Sequence, residues 1–284
     1  MTRDTSQISR RTALQTVVGA ALVSGAGCLS SDENTTTNGK TPIDSQGVLQ
    51  RVAVDGTALV VELAADADVD QINLIQPSGE LFGQRNVAAG AQQVSFELGT
   101  SYTPGEYSVV ALSGDETVIE TPFSIEPNLR IIEMGIGRNH PQKMWSGAED
   151  EISEEAFVSV ENQGSGPDAL TKLLFLGDVP YPSDKQGTNY ASNDDISGIY
   201  DPESDSEVDE IVIAPEEQIR IYSSRSPFAF VPGAGTSCID EQQTGEFEVV
   251  VKTRVSSDNI SEIYNIQYSA SEEPDNCEIF ISEA

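Results

Sequence analysis

The chain has 284 residues, with 47 acidic against 15 basic side chains, a net charge of -32 and 38% apolar residues. That is long enough for two ordinary domains that each bury a core, and apolar enough to exclude a disordered acidic tail. No basic stripe exists to neutralise phosphates, so nucleic acid is not expected as a partner.

Taken in chain order, residues 1–28 read as a targeting segment rather than as part of the fold. Ser9-Arg10-Arg11-Thr12-Ala13-Leu14 resembles the twin-arginine export motif. The uncharged stretch Thr12–Ser31 is rich in Ala, Val and Gly. It is too weakly apolar for a membrane span, which needs about 20 predominantly apolar residues. It leads into Gly25-Ala26-Gly27-Cys28, which is similar to a lipobox, with Gly25 where that pattern prefers Ala or a larger aliphatic residue. The resemblance implies export through Arg10 and Arg11 and a lipid on Cys28, which would tether the chain to the outer face of the cell membrane. An uncleaved anchor helix is the alternative, and it places the remainder outside the membrane as well.

Arg3, Arg10, Arg11 and Asp4 precede Cys28, so the part beyond it carries 46 acids and 12 bases, a net charge of -34. Such a surface repels itself at low ionic strength and is relieved in molar salt, where the screening length falls to about 3 Å. The composition, with only five lysines (Lys40, Lys143, Lys172, Lys185 and Lys252), resembles that of proteins from salt-loving archaea. Residues 29–47 form a polar tether with almost no apolar residue, a flexible coil expected to span roughly 20–25 Å. Asn34-Thr35-Thr36 on this tether is a glycosylation sequon, and Asn259-Ile260-Ser261 is a second.

Residues 48–127 contain seven short apolar runs, near 48–54, 57–64, 70–76, 80–84, 92–98, 106–113 and 116–125. Leu59, Val61 and Leu63 alternate with mixed neighbours, as do Val94, Phe96 and Leu98, which is the period of half-buried strands. Asp55-Gly56, Pro77-Ser78-Gly79, Pro104-Gly105 and Ser113-Gly114-Asp115 supply turns between them. Seven strands in this length predict an immunoglobulin-like sandwich. Thr103-Pro104-Gly105-Glu106-Tyr107 resembles the tyrosine corner of such domains, which implies that the Tyr107 hydroxyl bonds backbone upstream.

Pro127-Asn128 reads as a hinge, and residues 128–284 as a second β-sandwich. Ala156, Val158 and Val160 alternate into Asn162-Gln163-Gly164-Ser165-Gly166-Pro167, which precedes the apolar strand Ala169–Leu176. That arrangement resembles the cell-adhesion-related sandwich domains of surface proteins. Ile211-Val212-Ile213-Ala214-Pro215-Glu216-Glu217 resembles their Pro-headed strand, with Glu216 where that family often has Gly. The resemblance supports the fold class: all-β, two tandem β-sandwich domains after a signal peptide and a flexible tether. The stretch 178–209 breaks the strand pattern and reads as a long acidic loop.

The chemistry-bearing residues are few. His140 is the one histidine, beside a turn, and a lone His builds no multi-His metal site. No Gly-x-Ser-x-Gly elbow, P-loop or dinucleotide fingerprint occurs, so no enzyme activity and no cofactor are expected. Asp201, Glu203, Asp205, Glu207 and Asp209 offer hard oxygen ligands that suit Ca²⁺, against the plainer reading of solvated charge. Trp145, the only Trp, stands in a polar loop as a recognition patch or as the cap of a sandwich core. With Cys28 taken by lipid, Cys238 and Cys277 are the remaining thiols, and an exported compartment permits a disulfide between them. Two buried free cysteines are the alternative. The expected role is a non-enzymatic surface lipoprotein, a binding or structural module of the cell envelope facing a protein or glycan partner. A solute-binding or accessory lipoprotein of a membrane transporter or oxidoreductase complex is the rival, weakened by the missing α/β units.

Overall fold

A computed structural model of the chain describes residues 47–284, apart from 186–188, 232–237, 240 and 271–276. Arg10, Arg11, Cys28, Asn34 and the tether up to residue 46 lie outside the described residues.

The seven runs of the first region form seven strands: β1 (Leu49–Asp55), β2 (Ala58–Leu63), β3 (Gln71–Ile75), β4 (Leu81–Asn86), β5 (Gln93–Glu97), β6 (Gly105–Ser113) and β7 (Glu116–Ile125). They pair antiparallel as β1-β2-β5 and β4-β3-β6-β7. The alternation decides which side chains meet between the sheets. Leu59, Val61 and Phe96 come from one, and Ile72, Leu74, Tyr107 and Val109 from the other, each essentially inaccessible to water. Burying each such side chain stabilises the fold by about 1.5–3 kcal/mol before chain entropy is counted. The Tyr107 hydroxyl donates to Thr103 O at 2.8 Å, the expected corner. Pro122 stands on β7, an edge strand, where the missing N–H discourages pairing with another chain.

Among the described residues the second region has ten strands: β8 (Leu129–Ile136), β9 (Ala156–Asn162), β10 (Asp168–Gly177), β11 (Ile199–Asp201), β12 (Ser206–Glu207), β13 (Ile211–Ile213), β14 (Gln218–Ser223), β15 (Gln243–Thr253), β16 (Ile260–Ala270) and β17 (Cys277–Glu283). One sheet runs β8-β9-β14-β11-β12 and the other β13-β10-β15-β16-β17. The plan of the first sandwich recurs here. β8-β9-β14 answers β1-β2-β5, and β13-β10-β15-β16 answers β4-β3-β6-β7, with β11, β12 and β17 added at the edges. The Pro-headed segment therefore divides: Ile211–Ile213 joins one sheet, and Gln218–Ser223 the other. Glu216, in the crossing between them, has φ +60°, the backbone region where Gly costs least.

The outer edge of β17 is closed by side chains. Arg138 Nη1 donates to Cys277 O at 2.6 Å, and Asn139 Nδ2 to Ile279 O at 2.8 Å. Arg138 also donates to Ser153 O, and burial pulls its pKa down.

Pro127-Asn128, expected as a hinge, is clamped. Ser165 N and Gly166 N donate to Glu126 O at 2.8 and 3.0 Å, and Gln163 N donates to Asn128 O at 2.8 Å. Buried Asn162 accepts from Asn128 N and Gly164 N and donates to Gly166 O. Glycines are required because the neighbours press close. A Cβ on Gly164 would lie 2.2 Å from Glu126 O, and one on Gly166 would lie 2.1 Å from the Tyr102 hydroxyl. Tyr102 reaches across to Pro167 O at 2.9 Å, and Val255 packs into the first core. The Asn-x-Gly-x-Gly-Pro run is thus the clasp between the sandwiches.

Candidate functional site

Phe157, Tyr222 and Tyr200 stand in one cross-strand row: Phe157 on β9 faces Tyr222 on β14, which faces Tyr200 on β11. Their neighbours Ala156, Val158, Ile199 and Ile221 fill the core, so the period of two turns the aromatic row to the outer face of the sheet. The segment from Gly137 to Gly147 folds over one end of that row. Gly137 N donates to Glu155 O at 2.8 Å, and a Cβ at Gly137 would lie within 1.7 Å of Ile152 O, so only Gly lets the chain pass. Met144 and Ile152 then bury Phe157 completely.

Trp145 lies on the row as a partly exposed ring, its centroid 4.5 Å from Tyr200 at 40° and 5.1 Å from Tyr222 at 75°. It is not the cap of the main core. Charged groups frame it: Lys143 pairs with Glu133, and Arg220 Nη1 donates to Lys143 O. Both cations stand over Phe157, 5.5 and 5.1 Å from its centroid. Ser159, between Glu133 and Arg220 in register, buries a hydroxyl that has no hydrogen-bond partner among the described residues. Asp205 accepts from the Tyr200 hydroxyl at 2.6 Å, and this bond pushes the Tyr200 pKa up to about 12. The result is a platform of three half-buried rings whose hydroxyls and cations are fixed. Large, rigid, amphipathic rings of this kind give contact area at little entropic cost.

The platform lies at the end of the second sandwich away from the first. Phe157 is near the start of β9, whereas Asn162 at its end belongs to the clasp. No signal in the sequence joined Trp145 to Tyr200 and Tyr222, because the row forms only when β14 and β11 pair.

Among the described residues no three His, Cys, Asp or Glu side chains gather as a cation needs, Asp201, Glu203, Asp205, Glu207 and Asp209 included. Each acid with a resolved bond has a local task. Asp201 caps the turn through Glu203 N and Ser204 N at 3.1 and 3.2 Å. Asp205 holds Tyr200, and Glu207 binds Arg225 Nε and Ser224 Oγ at 2.8 and 2.5 Å. Glu203 and Asp209 are exposed. The described residues of the acidic stretch 178–209 are also no free loop. Tyr190, Ser183 and Ser197 are buried in it, and Tyr190 with Ile196 packs on Leu174 and Val250 over the outer face of β10 and β15.

His140 stands edge-on to Phe157, 6.0 Å between centroids. Asn259 is exposed at the turn between β15 and β16. Cys238 and Cys277 form a disulfide with a Cα separation of 6.1 Å.

Glu155, at the base of the 137–155 segment, is buried. Its carboxylate accepts from Ser223 Oγ and from Ser226 N and Oγ, the last two at 2.8 Å. Burial raises its pKa above the ordinary 4.5, and the serine bonds offset part of that. A raised folded value means stability that is complete below about 4.5 and lost as pH climbs through the higher folded value. Glu155→Gln removes that titration, so the variant's Tm relative to the parent should rise between pH 4 and pH 7 in thermal melts. A constant difference across that range counts against a perturbed Glu155.

No protein-family model matches the chain, and no curated protein matches it. Solved structures to which it is similar include a two-domain fibronectin type-III segment from chicken tenascin, at 11% identity and TM-score 0.26, covering 84% of this chain and 98% of that one. Others are the BSP domain of a biofilm-associated protein (12% identity, TM-score 0.23, 75% of this chain and 29% of that one) and a β-glucuronidase of glycoside hydrolase family 2 (13%, 0.25, 76% and 19%). The chain spans less than a third of the length of the last two. Likenesses this distant say nothing of activity, and the all-β sandwich fold stands on the strand pairing itself.

Proposed function

We propose that this chain is a non-enzymatic binding module of the cell envelope, exported through Arg10-Arg11, held to the membrane by lipid on Cys28, and taking a glycan on the platform of Trp145, Tyr200 and Tyr222. The observation that carries the reading is that platform: three partly exposed rings with fixed edges, at the end of the second sandwich away from the first. The apolar face of a sugar ring fits such a surface, and its hydroxyls meet the carboxylates and cations around it. The export motif and the Cys28 approach in the sequence support display outside the cell. The net charge of -34 beyond Cys28 supports a surface suited to high salt.

One preparation tests both parts. The Cys28→Ser chain should leave the membrane for the medium, and its persistence in membranes would count against the lipid anchor. Because Trp145 is the only Trp, its emission reports the platform alone. Titrating the released chain in molar KCl with oligosaccharides from the cell's own envelope should give a saturable change in emission. Tyr200→Ala should weaken that response roughly tenfold, since a hot-spot aromatic contributes about 1.4 kcal/mol or more. An emission spectrum unmoved by every envelope fraction would overturn the glycan reading.

A further inference from the structure

The other sheet carries a feature that neither the fold nor the platform explains. Lys172 on β10 and Lys252 on β15 are direct cross-strand partners. Like charges placed opposite one another weaken a sheet, and the next residues along the same face, Leu174 and Val250, are apolar and covered. Only 12 cations lie beyond Cys28 in the whole chain. Two of them face each other here, on the floor of a groove of about 600 Å³ that Arg254 and Ser197 also line.

Lys172 is 4% exposed. Its ammonium donates to Asn193 O at 2.6 Å and to Tyr190 O at 3.3 Å, which leaves one of its three N–H groups. Its one ion-pair partner among the described residues is Asp194, at 4.0 Å and fully exposed. Burial, then the charge of Lys252, pulls the Lys172 pKa down. The Lys252 ammonium makes no hydrogen bond or ion pair with the described residues. Arg254, by contrast, is committed to Glu210 and to Thr100 Oγ1. A buried cation without a close counter-charge is costly.

We infer that the groove over β10 and β15 is a binding site for a single oxyanion, a carboxylate or sulfate group, held between Lys172 and Lys252. The spare N–H of Lys172 and the free Lys252 ammonium supply charge-assisted donors. Asp194, Asp195 and Asp209 at the rim repel an extended polyanion, so the anionic group is a small ion or belongs to an otherwise neutral body. In molar salt the exposed rim charges are screened within about 3 Å, whereas the buried floor is screened less.

Calorimetric titration of the full chain with sodium sulfate, and separately with sodium glucuronate, in constant molar KCl tests the site. At least one of the two should bind saturably at one site, and which one does identifies the oxyanion. Lys252→Met should weaken that binding at least tenfold and Lys252→Arg should keep it, while both leave the Trp145 emission response to envelope oligosaccharides unchanged. That last readout separates failure of this site from failure of the platform. Heats without saturation for both anions, or equal binding by Lys252→Met, would overturn the assignment.

Discussion

Asp168→Ala is expected to cost about 4 kcal/mol of stability, more than most single replacements do. Asp168 is completely buried at the start of β10, and its carboxylate organises the turn between β15 and β16. Oδ1 accepts from Val255 N at 2.8 Å and Arg254 N at 3.1 Å, and Oδ2 accepts from Ser256 N at 2.9 Å and Ser256 Oγ at 2.7 Å. Removing the side chain leaves several of these donors buried without an acceptor, each at about 1–3 kcal/mol. The damage would spread to the joint, because the same turn carries Val255 into the first core and the preceding Pro167 O receives Tyr102. Asp168→Asn keeps the shape and one acceptor oxygen, so its loss should be smaller. Urea unfolding in molar KCl, followed by circular dichroism and by Trp145 emission, measures both. A loss below 1 kcal/mol for Asp168→Ala would show that water can replace the carboxylate.

Asp168 also shows where sequence reading stops. The strands of the first sandwich are legible because alternation and turn chemistry are local properties: Leu59, Val61 and Leu63 point inward whatever the distant chain does. Tyr107 is legible for the same reason, since its partner Thr103 is four residues away. The partners of Asp168 lie 86–88 residues away, and one Asp after a Pro carries no mark of them. The stretch 178–209 misleads in a related way. Its acids dominate the composition, while the residues that pin it, Tyr190, Ser197 and Ile199, are isolated and show no period. The strands β11 and β12 within it have three and two residues, too short for alternation to register. Trp145 is visible in the sequence as a candidate, but its platform depends on the register of β9, β14 and β11. The Asn-x-Gly-x-Gly-Pro run is visible as a motif, yet its purpose, clasping Glu126 to Asn128, appears only once the two sandwiches are in place.

Reducing the Cys238–Cys277 disulfide should cost the second sandwich about 4 kcal/mol. The bridge joins residues 39 apart, and closing a loop of that size restricts the unfolded chain by about that amount in the entropy model. The folded side gains as well, because Cys277 opens β17, the strand at the edge of its sheet. There it pairs with Ala270, and its carbonyl receives Arg138, while Ala270 N donates to Ile239 O beside Cys238. The bridge therefore ties the segment at 238–239 and the first residue of β17 to the same end of β16. Without it, β17 keeps its pairing to β16 and the two bonds from Arg138 and Asn139, so the sandwich should still fold, with this strand as its first part to open. At about 2–4 °C per kcal/mol for a chain of this size, Tm should fall by roughly 10 °C. Melts of the oxidised chain, the reduced chain and the Cys238→Ser/Cys277→Ser variant in the same molar KCl separate the causes. The last two should agree closely, and hydrogen exchange should show protection lost first at Ile279 and Ile281. Equal melting of oxidised and reduced chains, or two free thiols in the natively folded protein, would show that the edge strand stands without the bridge.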